Sequence, residues 1–290
     1  MANRTGSILC PSCGRLVGVS ADECPYCGRR KPGLWGLTTV LGGIGRRWPF
    51  ETIVTGGCVF FYMAMIAVMG MSSPEAIQLF RGFQILPPTG EALIRFGASG
   101  AIPVFELGRW WTVLSAGWLP GDLIHIFFNL YWLRMLAPAT AELYGASRMV
   151  VIYALSSITG FLMSSSVGHF LPGLDGTFLG GAHLTVGASA PILGLLGAAV
   201  AYGRRTGSHA MRRQAWSYAL YMIVFGFIMP RVDNWAHLGG FAGGFLTGLA
   251  LAPEKPEGPG HTAAALVCLL LTAASVVASL VDVRWYAYVQ

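Results

Sequence analysis

The chain has 290 residues, 54% of them apolar and only 11% charged, against about a quarter charged in an ordinary soluble domain. With a mean hydropathy of +0.59, this composition excludes a solely soluble globular protein and predicts an all-α polytopic membrane protein. The net charge of +6 is concentrated at one end, where residues 1–48 hold seven Lys or Arg against two Asp or Glu. A basic tail beside a bilayer is drawn to anionic lipid, and it also serves as an inside-anchoring flank.

The first feature in chain order is "CPSCGRLVGVSADECPYCG". Two Cys-x-x-Cys pairs, Cys10/Cys13 and Cys24/Cys27, each turn tightly enough to aim two thiolates at one point. Four thiolates satisfy tetrahedral zinc, and a reducing cytosol disfavours the disulfide alternative. Residues 1–30 are therefore expected to be a cytosolic zinc ribbon with a structural Zn2+, too small to fold without its metal. Nothing interleaves aromatic and basic residues there, so nucleic-acid binding is not expected, and a cytosolic partner of the ribbon is the open alternative. Residues 31–49, with Pro32, Gly33, Gly36, Gly42, Gly43 and Gly45, read as a flexible linker.

Apolar runs long enough to cross about 30 Å of hydrocarbon follow at 50–71, 123–143, 149–168, 183–203, 214–230, 235–252 and 262–282. Cys58 and Cys268, alone in separate spans, read as packing residues. The segment 72–121 mixes Glu75, Arg81, Glu91, Arg95, Glu106 and Arg109 with apolar groups, as short helices and turns at a membrane interface would. No apolar leader precedes the first span. Arg46, Arg47, Arg148, Arg204, Arg205, Arg212, Arg213 and Lys255 all fall on one side if seven helices alternate. The positive-inside rule makes that side the cytoplasm, with the N-terminus inside and the C-terminus outside.

Polar residues inside spans are costly and default to function. His125, Ser189 and His237 lie near the outer ends of the second, fourth and sixth spans. Three to seven residues into a helix is a depth on the order of 5–10 Å, so the three share a layer. Small residues at Ala190, Gly194, Gly197, Ala198 and Ala201 in the fourth span, and at Gly240, Gly244 and Gly248 in the sixth, allow close backbone approach. Ser189 and His237 can then meet, with imidazole as the base that activates the hydroxyl.

"HIFFNLYWL", "GASAPILGLLGA" and "NWAHLGGFAGG" together resemble the His-x-x-x-Asn, Gly-x-Ser-Gly and Ala-His-x-x-Gly helices of rhomboid intramembrane serine proteases. The three occur in family order over residues 50–252, which the resemblance makes a rhomboid-like six-helix bundle; 262–282 would be a seventh, six-plus-one helix. It implies an integral protein of a bacterial inner (plasma) membrane that cleaves other transmembrane proteins within the lipid bilayer, near the outer leaflet, without a catalytic cofactor. Ser189 would be nucleophile and His237 general base, with His125 and Asn129 helping to hold the oxyanion. Ala190 stands where the family usually has Gly, with Pro191 after it, and the pair motivates the alternative of an inactive relative that binds membrane helices.

Several residues compete with these. Asp233 falls a turn outward of His237, too far along the helix for a triad acid. "GASG" at 97–100 matches the family tetrad but lies in the interfacial segment, so Ser99 reads as a turn residue. His183 sits at the mouth of the fourth span, and His169, His209 and His261 read as solvated. "ELGRWWTVLSAGWL" resembles the family's Trp-Arg element with Arg109 ahead of its tryptophans, which leaves the role of Arg109 open.

Overall fold

The computed structural model describes residues 6–10, 13–32, 49–72, 75, 77–174, 177, 179–228, 232–255 and 257–284. Most of the expected linker, residues 33–48, lies outside the described residues, as do Arg46 and Arg47.

Strands β1 (Ser7–Leu9) and β2 (Leu16–Gly18) pair antiparallel with Ile8 opposite Val17. Val17 joins Cys10 and Cys24 in a small core of its own.

The helices begin with α1 (Phe50–Ser72). Phe50, Val54, Cys58, Tyr62, Met65 and Met69 recur at three- and four-residue intervals and are buried, while Phe60 and Met63 on the other side are exposed. Such a stripe seats one face on protein and leaves the other for lipid. A short hairpin, β3 (Phe80–Arg81) with β4 (Gln84–Ile85), leads to α2 (Gly90–Phe96), which Thr89 caps by accepting the Ala92 N–H. A π-helical turn at Ile102–Glu106 and the single turn α3 (Thr112–Ser115) complete this region. It does not simply lie on an interface: Ala98, Ser99, Ala101, Arg109, Thr112, Ser115 and Ala116 are buried, so residues 97–118 insert between helices.

Next come α4 (Leu123–Tyr144), α5 (Ala146–Phe170), α6 (Ser189–Arg205), α7 (His209–Ile228), α8 (Asn234–Ala250) and α9 (Pro259–Val281). This makes the chain a polytopic all-α membrane protein. Three stretches, Phe50–Ser72, Ala146–Phe170 and Gly260–Val281, are long and apolar enough to cross a membrane on their own, with mean hydropathies of 2.0, 1.6 and 2.5. Of the other expected spans, α6 and α8 have only 17 residues each. Arg134 and Glu142 lower the apolarity of α4, and Arg212 and Arg213 that of α7. The expectation of a fourth span running from 183 is corrected: its helix starts at Ser189, because 182–187 is tied sideways into loop 97–118 instead of continuing a helical ladder.

Helix α6 is the axis of the bundle, packed against α4, α5, α7 and α8. Between helices in lipid there is no hydrophobic gain, so close backbone contact must supply the cohesion. On α8, a methyl at Gly240 would strike the Ala190 carbonyl and one at Gly244 the Gly194 carbonyl, while one at Gly248 would lie 3.0 Å from the Ala198 Cα. Contact recurs every four residues on both helices in the same direction. Helices α6 and α8 are therefore parallel neighbours with nothing between their backbones. At the far end the Tyr144 hydroxyl donates to the Ala198 carbonyl at 2.9 Å and reaches that of Gly248 at 3.3 Å, joining α4 to both.

Candidate active site

The parallel register of α6 and α8 sets the site. Ala236, one turn before Gly240, shares an apolar cluster with Ala190, which puts the start of α8 beside the start of α6. Ser189 is the first residue of α6, half-buried, and His237 is the fourth of α8, buried. Asp233 is the N-cap that starts α8, accepting the Ala236 N–H at 2.9 Å and the Ser164 hydroxyl at 2.6 Å. Both of its oxygens are thus engaged away from His237. Among the described residues no hydrogen-bond partner reaches His237 Nδ1, which leaves the imidazole without a third acidic member.

On α4, Asp122 caps the helix by accepting the His125 N–H at 2.9 Å, and its other oxygen receives the Gln84 amide at 3.4 Å. The Gly121 N–H donates to His125 Nδ1 at 3.2 Å. A neutral imidazole that accepts at Nδ1 carries its proton on Nε2, so Nε2 is a donor. It faces Gly187: a Cβ built there would lie 2.5 Å from His125 Nε2 and 3.5 Å from Asn129 Nδ2. The pair at i and i+4 of α4 therefore flanks the backbone two residues before Ser189.

The serine-bearing segment is held by its backbone. Ser99 and Thr185 exchange both amide bonds, at 3.0 and 2.7 Å, Ala101 donates to Ala182 at 2.9 Å, and Gly187 donates to Ala116 at 2.9 Å. Gly187 has φ +131°, a conformation that L side chains rarely adopt. The N–H groups of Ser189 and Ala190 open the first helical turn, where no intrahelical acceptor exists and the helix dipole is positive. Pro191, at the third helical position, removes a donor that would be unpaired in any case. The Ala190 methyl packs toward α5, where a Cβ on Gly160 would approach it to 2.9 Å.

Other candidates fall elsewhere. Ser99 is fully buried, not a surface turn, and its backbone braces Thr185. His183 is exposed. His169 lies in the last turn of α5, exposed and stacked on Phe105 with ring centroids 4.5 Å apart, and His261 is half-buried in the first turn of α9, accepting the Gly258 N–H. Gly121 and Asp122 have no counterpart in the sequence motifs, and Gly187 stands there only as the glycine of the Gly-x-Ser motif. "PGD" directly ahead of the helical run at Leu123 is an available cap signal, whereas the seat of Gly187 against His125 depends on pairing between distant segments.

Residues 107–254 match the family model described as Rhomboid domain, just over half of the chain. The chain belongs to the rhomboid family. It is 28% identical over 220 residues to Rhomboid protease GluP of Bacillus subtilis, a match covering 71% of this rhomboid but 41% of GluP. RHOMBOID-like protein 7 of Arabidopsis thaliana is 26% identical over 254 residues, 81% of this chain and 76% of that protein. Rhomboid-like protease 1 of Toxoplasma gondii is 28% identical over 181 residues, covering 60% and 58% respectively. This rhomboid is an integral membrane protein, and it spans well under half of GluP's length.

A second cluster lies in the ribbon. The sulfurs of Cys10, Cys13, Cys24 and Cys27 all fall within 4.8 Å of one another. Cys10 Sγ is 3.7 Å from Cys27 Sγ, and Cys13 Sγ is 3.8 Å from Cys24 Sγ. Tetrahedral coordination with metal–sulfur bonds of about 2.3 Å requires sulfurs about 3.8 Å apart, so the four fit a metal ion and are too far apart for disulfides. The turns repeat: Gly14 donates to the Cys10 carbonyl and Gly28 to that of Cys24. The Arg29 backbone N–H works to lower the Cys27 thiol, yet desolvation and the three neighbouring sulfurs push it up to about 12. Four sulfurs so placed could hold a metal ion.

Proposed function

We propose that this chain is an intramembrane serine endopeptidase of the dyad type, cleaving transmembrane-anchored proteins near the outer leaflet. Ser189 is the nucleophile. His237 takes its proton and returns it to the leaving amine as the acyl-enzyme forms, and water then releases the second product. The oxyanion is held by His125 Nε2–H, the Asn129 amide and the backbone N–H of Ser189, each worth about 10² to 10³ in rate. The observation that carries this reading is the approach of His125 and Asn129 to Gly187, beside a helix start whose Ala190 packs with Ala236, the neighbour of His237.

Substrates would be membrane helices that unwind near their ends, since an intact helix hides its carbonyls. The N-terminus lies in the cytoplasm and the C-terminus outside, in a bacterial plasma membrane. Residues 1–30 form a ribbon whose cysteines hold structural Zn2+, 31–49 a linker, 50–252 the catalytic six-helix unit and 262–282 an appended span. The four cysteines would hold the metal as thiolates, two of whose charges it would offset, and the catalytic chemistry uses no metal.

A fluorophosphonate probe should label the purified protein, with Ser189→Ala and His237→Ala abolishing the label and Ser99→Ala keeping it. Labelling that survives Ser189→Ala refutes the assignment. If wild type and Ser189→Ala release equal product from a model transmembrane substrate, the chain is instead an inactive binder of membrane helices, the reading that Ala190 and Pro191 motivate.

A further inference from the structure

Arg109 has no part in the dyad, yet it is fully buried. Its guanidinium joins two elements far apart in sequence: Nη1 donates to the Ile94 carbonyl of α2 at 2.6 Å, and Nη2 to the Ser279 carbonyl of α9 at 2.8 Å. Its Nε lies 3.1 Å from Asp282 Oδ2, a charge contact without the alignment of a hydrogen bond. Around it, Trp111 Nε1 donates to Ser279 Oγ at 3.1 Å, Ser275 Oγ donates to the Trp111 carbonyl at 2.7 Å, and Arg284 lies over the Trp111 ring at 5.1 Å. A helix that merely filled space would be held by apolar contact. The outer end of α9 is instead fastened to loop 97–118 by polar groups.

That loop in turn grips the serine-bearing segment. Thr112 Oγ1 donates to the Arg109 carbonyl at 2.8 Å and reaches Ser99 Oγ at 3.4 Å. Ser99 and Ala101 pair with Thr185 and Ala182, and the Ala116 carbonyl takes the Gly187 N–H. A Cβ on Gly97 would lie 2.5 Å from Ser115 Oγ and 2.6 Å from Ser279 Oγ, so α9 touches the very turn that carries Ser99. Loop 97–118 is thus a saddle, with α9 on one side and residues 182–187 on the other.

We propose that Asp282, at the C-terminal end of α9, is a positioning residue for the serine-bearing segment, acting through Arg109 and loop 97–118. It rests on the reading of Ser189 as nucleophile. The geometry supports it: Asp282 Oδ1 accepts the Arg284 backbone N–H at 3.2 Å and the Arg284 Nε–H at 2.9 Å, while Oδ2 faces Arg109 Nε at 3.1 Å. Arg109, fully buried, would without that carboxylate be a buried cation lacking a counter-charge, a costly state. The loop would then shift to expose it.

The test uses the full-length protein in proteoliposomes. Asp282→Asn, Asp282→Glu and, at the opposite end of the bundle, Glu254→Gln are compared for kcat and KM on a model transmembrane substrate, thermal stability, and hydrogen exchange of segments 99–102 and 182–187. Asp282→Asn should lower kcat by about 2- to 30-fold, the range spanned by coupling through packed networks, with KM and folded fraction unchanged. Exchange at Ser99 and Thr185 should quicken. Asp282→Glu should recover most of the loss, and Glu254→Gln should match wild type. Wild-type kcat and exchange in Asp282→Asn, or a loss that tracks the folded fraction and is not rescued by Glu, overturns the proposal. If the wild type proves unreactive at Ser189, the protease reading fails, and exchange alone decides: quickened in Asp282→Asn upholds the positioning role, unchanged removes it.

Discussion

Gly187→Ala separates a catalytic cradle from a merely tight turn. Two penalties are built in. At φ +131° an L side chain is strained by about 1–3 kcal/mol. Its Cβ would also sit 2.5 Å from His125 Nε2 and 2.6 Å from Cε1, so the ring must retreat by about 1 Å to regain van der Waals contact. The bond from Gly121 to Nδ1 resists that retreat by anchoring the other side of the ring. A displaced Nε2–H is a lost oxyanion donor, about 2.7–4 kcal/mol of transition-state stabilisation. Cleavage of a model transmembrane substrate in proteoliposomes should therefore fall by about 10² or more per folded molecule, with part of the backbone strain appearing as a lower melting temperature. Gly173→Ala is the control, because a Cβ there meets nothing within 4 Å, and it should be neutral. A Gly187→Ala protein that turns over like wild type would refute both the cradle and the use of His125.

Asp233→Asn should keep kcat within a few-fold and leave the pH profile of labelling in place, because the carboxylate caps α8 and takes the Ser164 hydroxyl instead of bonding His237. Its cost should appear as stability, about 0.5–2 kcal/mol for a weakened cap, read from thermal melts; a kcat collapse with an altered pH profile would restore it as a third catalytic member. Cys24→Ser should reduce metal content, measured by elemental mass spectrometry of the full-length protein, from a single zinc ion per chain toward none. Fluorophosphonate labelling should stay near wild type, and a loss of labelling would tie the ribbon to the catalytic unit.

The legible parts of the sequence were those whose signal is local. Helix α1 shows its apolar stripe, the ribbon its paired cysteines, and α8 its glycines at four-residue spacing, since each pattern is the direct imprint of one contact surface. The close packing of α6 on α8 followed because a row of missing side chains in lipid has few uses other than backbone approach. What stayed hidden depends on pairing between distant segments. The start of α6 is hidden because 182–188 is as apolar as the helix it precedes. Only its backbone bonds to Ser99, Ala101 and Ala116 show why the ladder cannot begin before Ser189. Arg109 was unreadable for the same reason, as Ile94, Ser279 and Asp282 lie as far as 173 positions away in the chain.

This non-local bracing also explains why a chain so apolar keeps a polar core at one end of its bundle. Two 17-residue helices rise only about 25 Å each, less than the hydrocarbon thickness. If Ser189 and His237 began full-length spans, irregular backbone ahead of them would face lipid, where unpaired amides are intolerable. Loop 97–118 removes that conflict by inserting between the helices and accepting or donating the bonds that 182–187 cannot make within itself. The depth of the site is thus set by how far this loop penetrates. Its own seat on α9, through Arg109 and Trp111, makes the seventh helix part of the same load path.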